Sequence, residues 1–297
     1  MPTPPASLED LRRSIDQLDD ALQDVLIRRA EIVAAIGRVK QADALPPLRP
    51  GREAQILRRL VARHRGPFPK PVLVRLWREL LSGMTAIQAE ISVAVYAPAN
   101  SAAFWDLARD HYGSHIALSG LRSTGEVIGA VRDGRATLGV LPVPGQGAPG
   151  AEAESWWRLL VPGDIPKPRV VARLPFGARG NARKEGGDAL VISRIEPEAS
   201  GADRSLFVVE TGEDLSRSRA VEALAGAGLA ATLLADVKVA GQSGAQLIEI
   251  EGWFAAGDAR LEAALASLGS RVRHVAALGH YAVPLAASDL SNTEPRR

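Results

Sequence analysis

The sequence predicts a multidomain protein of α and α/β type, with a helical N-terminal third followed by two regions that mix strands and helices. Three observations lead to this fold class. Apolar residues recur mostly at three- and four-residue steps over residues 8–42, which is the spacing of one helix face. Strand-like alternation begins at Ser92. From Ser205 onward the pattern is strand, helix, strand, strand, helix, strand.

The N-terminal region is predicted to contain three helices. The first covers residues 8–42, with Ser7 as its N-cap and acidic residues in its first turn. At about 1.5 Å per residue it would be ~50 Å long, which is more than a small monomeric domain can cover. We therefore expect a partner chain to bury part of its apolar face. After a proline-rich break, a second helix is predicted from about Arg52 to His64 and a third up to about residue 91.

The middle region is predicted to begin with a parallel α/β lobe, because strands and helices alternate there. Its three strands are SVAVYA, HIALSGL and TLGVLPV. Residues 144–155 are expected to form a flexible loop, and Trp156 and Trp157 are expected to serve in packing. Two further strands, RVVARLPF and DALVISRI, flank a loop, GARGNARKEGG, which we expect to be exposed and mobile.

The C-terminal region has the βαββαβ order of a ferredoxin-like split unit. The last residues are polar and are predicted to be disordered. Four segments follow from these patterns, with boundaries at residues 1–92, 93–203, 204–286 and 287–297.

Composition excludes several classes of function. The formal net charge is only +2, so a general nucleic-acid surface is not indicated. The absence of cysteine rules out a thiolate nucleophile and a cysteine-based zinc site, and neither histidine pair has a third ligand nearby. No apolar run approaches the ~18 residues that a membrane-spanning helix needs. We expect a cytoplasmic protein that needs no metal or cofactor and has no membrane segment.

A set of cations on the first helix is the strongest functional signal. Arg29 and Lys40 are eleven residues apart, which places them ~20° from each other around the helix axis. Arg12 lies seventeen residues before Arg29 and ~100° around the axis, so it can join their site only from a partner helix. Any one of these cations could be an ordinary solvated side chain. Together with Gln88 on the third helix, they suit a site that binds a small dianion.

Three segments resemble the all-helical chorismate mutase domain, over about residues 8–95. They are LEDLRRSIDQLDDALQDVLIRRAEIVAAIGRVK, RPGREAQILRRL and VLVRLWRELLSGMTAIQAE. The resemblance implies an intertwined homodimer of three-helix protomers with two sites, each of which uses one arginine from the partner. It implies that Arg12 is the donated arginine and that Arg29 binds a substrate carboxylate. Lys40 and Gln88 match the residues that reach the ether oxygen of chorismate.

The start of the second helix adds two residues to this set. Arg52 and Glu53 match the arginine and glutamate of the family site, and the glutamate would contact the ring hydroxyl of the substrate. Two positions depart from the family pattern. Arg49 replaces an aspartate and would add positive charge near the substrate, and Met84 replaces a small hydroxyl residue. These changes concern the tuning of the site.

The residue types fit the implied chemistry. Chorismate is a dianion, and its conversion to prephenate is a unimolecular pericyclic shift that needs no nucleophile, metal or cofactor. Catalysis then consists of holding a compact conformer and stabilising charge on the breaking ether oxygen. Arginine forks suit the two carboxylates, and a lysine and an amide suit the oxygen.

The rest of the chain resembles a bifunctional chorismate mutase–prephenate dehydratase that has lost sequence in the middle. SVAVYAPANSAAFWDLARDHYG through LGVLPVPG resembles the first dehydratase lobe, and EIEGWFAAGDARLEAALASLGSRVRHVAALGHYAVPL resembles an ACT domain. The Thr-Arg pair of the family motif is missing from GGDALVISR, and too few residues remain for a second lobe. We therefore expect an inactive dehydratase-like extension. GEDLSRSR and ADVKV depart from the phenylalanine-binding motifs, which favours a dimerisation or scaffold role for the ACT-like unit.

Two other classes of function remain as alternatives. The first is an amino-acid-sensing regulatory protein whose helical domain only dimerises. The second is nucleic-acid binding through the arginine-rich second helix, which the near-neutral net charge disfavours.

Overall fold

The computed structural model describes residues 7–43, 45–99, 101–148, 150–161, 167–185, 187–212, 216–237 and 244–292. The helices in these residues are α1 Leu8–Ala42, α2 Pro50–Arg63, α3 Lys70–Ala86, α4 Ala103–Tyr112, α5 Thr124–Arg132, α6 Arg219–Gly226 and α7 Ala259–Ala266. The strands are β1 Ser92–Tyr96, β2 Ala117–Leu121, β3 Leu138–Pro142, β4 Arg169–Leu174, β5 Ala189–Ser193, β6 Asp203–Thr211, β7 Ala231–Val237, β8 Gly244–Glu251 and β9 Val272–Ala282. None of these helices is both long and apolar enough to cross a membrane.

The chain forms two compact units. One contains Met1–Pro47 with Gly83–Glu90, and the other contains Leu48–Ser82 with Ile91–Arg297. Helix α2 and most of α3 therefore belong to the same unit as the strands, whereas the boundary predicted from the sequence lies at residue 92. The domain boundary at residue 92 therefore remains a prediction.

Helix α1 begins and ends as the sequence predicts. Ser7 is its N-cap, and Ser7 and Asp10 form a reciprocal capping box. The hydrogen bonds from Ser7 lower the pKa of Asp10 below its ordinary value, and a negative charge in this turn favours the helix.

The end of α3 differs from the prediction. The helix ends at Ala86 rather than near residue 91, so Gln88 lies in the following turn and not on the helix. The backbone N–H of Gln88 donates to the backbone carbonyl of Thr85 at 2.9 Å, an i to i−3 bond that tightens the last turn. Five residues then connect α3 to strand β1, which begins at Ser92.

The strands form one mixed sheet of order β2-β1-β3-β5-β4-β9-β6-β8-β7. The parallel pairing of β1 with β2 and β3 confirms the predicted parallel layer. Beyond β3 the sheet is mixed, because β5 runs antiparallel to both β3 and β4. Strand β4 then pairs with β9 through Val170 and Gly279, so the sheet continues into the C-terminal region.

The C-terminal region has the predicted βαββαβ order. Its strands are arranged β9-β6-β8-β7 and pair antiparallel with one another. A separate apolar core lies beneath these strands, around Phe207, Leu224, Ile248 and Leu261. The GEDLSRSR and ADVKV motifs fall partly on residues 213–215 and 238–239, which lie outside the described residues.

Two segments that were expected to be irregular have structure. Residues 151–160 form two short 3-10 helices. The indoles of Trp156 and Trp157 are buried there and donate to backbone carbonyls, which confirms their packing role. At the other end, Leu290 is buried, and Asn292 accepts from the backbone N–H of Lys70 at 3.1 Å. The tail therefore packs on the start of α3 up to residue 292, and residues 293–297 lie outside the described part.

Candidate functional site

One face of α1 carries the predicted cations. Arg29, Gly37 and Lys40 lie within ~80° of one another around the helix axis. Arg29 and Lys40 are partly buried and Gly37 is buried, whereas the neighbouring Arg28 and Arg38 are exposed. Burial lowers the pKa of Arg29 from its ordinary value, although an arginine remains charged near neutral pH. This face therefore presents two sheltered positive charges.

Lys40 lies at the point where α1 ends and the chain turns. Its ammonium donates to the carbonyl of Pro47 at 2.8 Å, and its own carbonyl accepts from the amide of Leu45 at 2.8 Å. Both bonds fix the lysine on the break that follows the helix. The charge is thus held in place before any ligand arrives, which is useful for electrostatic catalysis.

Gln88 contacts the same face of α1 through a glycine that sequence analysis overlooked. A methyl group on Gly37 would lie 3.2 Å from Cγ of Gln88, so the missing side chain makes room for the glutamine. The Nε2 of Gln88 donates weakly to the carbonyl of Met84 at 3.5 Å. Its Oε1 is buried and accepts no hydrogen bond from the described residues. A lone glycine inside a strongly helical pattern was the available signal for this contact.

Arg12 lies away from these residues on the same helix. It is exposed, and seventeen residues of helix place it ~25 Å along the axis from Arg29. The structure of one chain therefore brings Gln88 to the face of Arg29 and Lys40, and it does not bring Arg12 there.

A stripe of exposed apolar side chains runs along α1. Its members follow one another at steps of three and four residues, with Arg29 at the one gap between Val25 and Ile32. They are between 44% and 69% exposed, which is unusual for a long row of large apolar residues. The exposed stripe consists of Leu8, Leu11, Ile15, Leu18, Leu22, Val25, Ile32, Ile36 and Val39.

The first turn of α2 carries the two remaining predicted residues. Arg52 is exposed and donates to the side chain of Gln55 at 3.2 Å. Glu53 is held differently, because Oε2 of its carboxylate accepts from Nη1 of Arg78 at 2.8 Å. The side chains of Glu53 and Arg78 are only 14% and 6% exposed. Glu53 thus has a structural partner in addition to its predicted role.

Arg78 is the second residue that sequence analysis overlooked. It lies on α3 in phase with the buried residues Val74 and Leu81, and its guanidinium lies over the ring of Phe176 at 5.0 Å. Burial lowers the pKa of Arg78, and the charge of Glu53 opposes this shift. An arginine in phase with an apolar helix face was the signal for a buried ion pair.

Glu53→Ala should destabilise the protein, because it leaves the charge of Arg78 buried without its partner. Breaking a buried pair from one side typically costs about 3–5 kcal/mol. Urea unfolding at neutral pH measures this loss. The double variant Glu53→Ala/Arg78→Met should recover most of the stability, and a single variant as stable as the wild type would contradict the assignment of the pair.

Arg49 does not act as an isolated positive charge. Its guanidinium is paired with Glu198, with 2.9 Å between Nε and Oε2. The expected excess of charge before α2 is therefore balanced by an acid from the segment between β5 and β6.

The described residues contain no group of three or more histidine, aspartate or glutamate side chains that could hold a metal ion.

A model of the chorismate mutase type II family matches residues 11–89. The match covers α1, α2 and α3 and ends just after Gln88.

Two curated relatives match parts of the chain. A bifunctional chorismate mutase/prephenate dehydratase of Pseudomonas aeruginosa is 30% identical over 142 residues, which are 46% of this chain and 38% of that protein. The T-protein of Enterobacter agglomerans is 44% identical over 79 residues, which are 25% of this chain and 21% of that protein. The chain thus spans less than two fifths of the length of the bifunctional relatives that it matches.

Solved structures give a weaker likeness. The prephenate dehydratase from Streptococcus mutans has a TM-score of 0.46 and 17% sequence identity. It covers 65% of this chain and 98% of its own chain.

Proposed function

We propose that this protein is a chorismate mutase that converts chorismate to prephenate in aromatic amino acid biosynthesis. The observation that carries the proposal is the sheltered face of α1, where Arg29 and Lys40 share a phase and Gln88 contacts the intervening Gly37. The match of residues 11–89 to the chorismate mutase type II family supports the same activity. We also propose that the protein is cytoplasmic.

The reaction assigns a distinct task to each residue. A carbon–oxygen bond of the ether breaks while a carbon–carbon bond forms, so no proton, nucleophile or leaving group has to be handled. Arg29 would bind a carboxylate and hold the reactive conformer. Lys40 and Gln88 would donate to the ether oxygen as negative charge develops there. Arg52 and Glu53 would bind the substrate from the start of α2, with Glu53 on the ring hydroxyl.

A second copy of this chain is the partner that fits the exposed stripe of α1. The steps of three and four residues are those of a helix pair, in which each stripe buries the other. A symmetric dimer would bring Arg12 of the partner subunit toward Arg29 and would create two sites. The site is then a property of the dimer, with Arg12 donated across the interface.

The remaining residues form, in this proposal, an extension without dehydratase activity. We assign residues 93–203 to a degenerate dehydratase-like region and residues 204–286 to an ACT-like unit. The absence of a Thr-Arg pair in residues 186–194 supports the loss of activity. The βαββαβ order of the C-terminal strands supports the ACT-like assignment.

The direct test is the loss of chorismate absorbance with purified protein. We expect a rate well above the uncatalysed reaction, with no dependence on added phenylalanine or tyrosine. A rate equal to background would remove the proposal and favour the regulatory alternative. A rate that responds to either amino acid would overturn the scaffold role given to the ACT-like unit.

Gly37→Ala should lower the turnover of chorismate about tenfold, because the new methyl group displaces the amide of Gln88 by a few tenths of an ångström. Alanine is the better helix former by roughly 0.5–1 kcal/mol, so the melting temperature should not fall. Steady-state kinetics and thermal unfolding of the same sample separate the two effects. Gly129→Ala on α5 is the control, since its methyl group would meet no atom closer than 3.8 Å. Unchanged turnover in Gly37→Ala would remove Gln88 from the site.

A further inference from the structure

Helix α2 lacks a cap of its own. Arg49 occupies the N-cap position without a side-chain capping bond, and Pro50, the first helical residue, has no N–H to donate. The next backbone amides at a helix start have no partner inside the helix. They need an acceptor from elsewhere in the chain.

Glu198 provides this acceptor from the segment between β5 and β6. Its Oε1 accepts from the backbone N–H of Arg52 at 2.9 Å, and its Oε2 accepts from the guanidinium of Arg49. A carboxylate at this position also interacts favourably with the positive end of the helix dipole. The first turn of α2 is thus fixed by a residue that lies 146 positions further along the chain.

The close approach depends on Gly51. A methyl group at this residue would lie 2.5 Å from the carbonyl oxygen of Glu198 and 2.8 Å from its Cγ, which no real contact allows. The same segment is held again further along α2. There Arg58 donates to the carbonyls of Ser200 and Ala202 at 3.3 and 2.8 Å. Hydrogen bonds at both ends of the segment therefore hold residues 198–202 along the helix.

We infer that Glu198 is a positioning residue for the mutase reaction, acting through the first turn of α2. This inference rests on the proposed function, which places Arg52 and Glu53 on the substrate. In this turn the side chain of Glu198 hydrogen-bonds to the backbone of Arg52 and to the side chain of Arg49, and the residue packs against Gly51. It follows that the extension completes the mutase domain, because the cap of α2 comes from outside the matched residues 11–89.

Glu198→Ala in the full chain should raise the KM for chorismate about tenfold, the size expected for the loss of one capping interaction, and lower kcat less. A larger effect on KM follows because Arg52 and Glu53 bind the substrate before the bond breaks. Glu198→Gln keeps an oxygen for the amide of Arg52 and should recover most of the loss. Hydrogen exchange at the Arg52 amide should quicken in Glu198→Ala and stay slow in Glu198→Gln. Glu196→Ala is the matched control, since Glu196 pairs with Arg169 at 3.1 Å and not with α2.

A second pair of variants reaches the same contact from the helix. Gly51→Ala should push residue 198 away and raise KM at least as much as Glu198→Ala does. Gly125→Ala is its control, because Gly125 is also the second residue of its helix and a methyl group there would meet nothing within 4 Å. Thermal unfolding of every variant checks that the chain is folded when KM is measured.

The outcomes separate this inference from the proposed function. Wild-type KM in both Glu198→Ala and Gly51→Ala, in an active protein, would overturn the positioning role alone. An equal rise in KM in Glu196→Ala or Gly125→Ala would also overturn it, since the effect would not be specific to the cap. A wild-type chain without mutase activity would overturn both, while the exchange of the Arg52 amide would still report the cap itself.

Discussion

Lys40→Ala should lower kcat for chorismate by about 10²–10³, the range found when one preorganised donor is removed from a developing oxyanion. The ammonium of Lys40 is held by the carbonyl of Pro47 at 2.8 Å, so its position is set before the substrate binds. Arg29→Ala should cost a similar factor in kcat/KM and should raise KM as well, because a guanidinium on a carboxylate binds the ground state too. Steady-state rates from the chorismate absorbance measure both.

The neighbouring exposed cations provide matched controls for these changes. Arg38→Ala and Arg28→Ala remove a positive charge from the same helix, two residues from Lys40 and one residue from Arg29, but on exposed positions. Their rates should stay close to wild type, and circular dichroism should show the same helix content in all four variants. Near-normal activity in Lys40→Ala and Arg29→Ala would remove the catalytic assignment, whereas equal losses in the controls would point to net charge instead of position.

Local patterns were sufficient for the elements that depend on local forces. The limits of α1 follow from the capping residues Ser7 and Asp10 and from an unbroken apolar spacing. The common face of Arg29 and Lys40 follows from helix phase alone. The βαββαβ order of the C-terminal region follows from the alternation of short apolar runs with helical ones. All of these depend on residues close together in the sequence.

Contacts between distant residues could not be found in this way. The pairing of Val170 with Gly279 joins the strands into one sheet, and no sequence pattern near either residue predicts this pairing. The cap that Glu198 places on Arg52 spans 146 positions, so the sequence alone predicts an unbalanced charge at Arg49. Arg78 is a charge on an apolar helix face, and its partner Glu53 lies on another helix. Burial and pairing of these groups are decided by tertiary packing.

The last strong prediction concerns the dimer and uses two inactive variants together. Arg12→Ala and Lys40→Ala should each be inactive alone, because every site then lacks one of the two cations. If Arg12 serves the partner's site, a heterodimer of the two variants has one site that lacks Arg12 as well as Lys40. Its other site is intact. Equal mixing with subunit exchange should restore ~25% of wild-type activity, since about half of the dimers are mixed and half of their sites work.

A second mixture of variants provides the control for this experiment. A mixture of Arg29→Ala with Lys40→Ala should stay inactive if both residues serve the same site from the same chain, because each site then keeps one defect. Leu18→Glu, in the exposed stripe, should give a monomer in analytical ultracentrifugation, because a carboxylate buried in the dimer interface is costly. This monomer should be inactive. Recovery in neither mixture, with heterodimers present, would show that Arg12 acts within its own chain. Recovery in both would place Arg29 and Lys40 in different sites, which the shared phase of these two residues on α1 argues against.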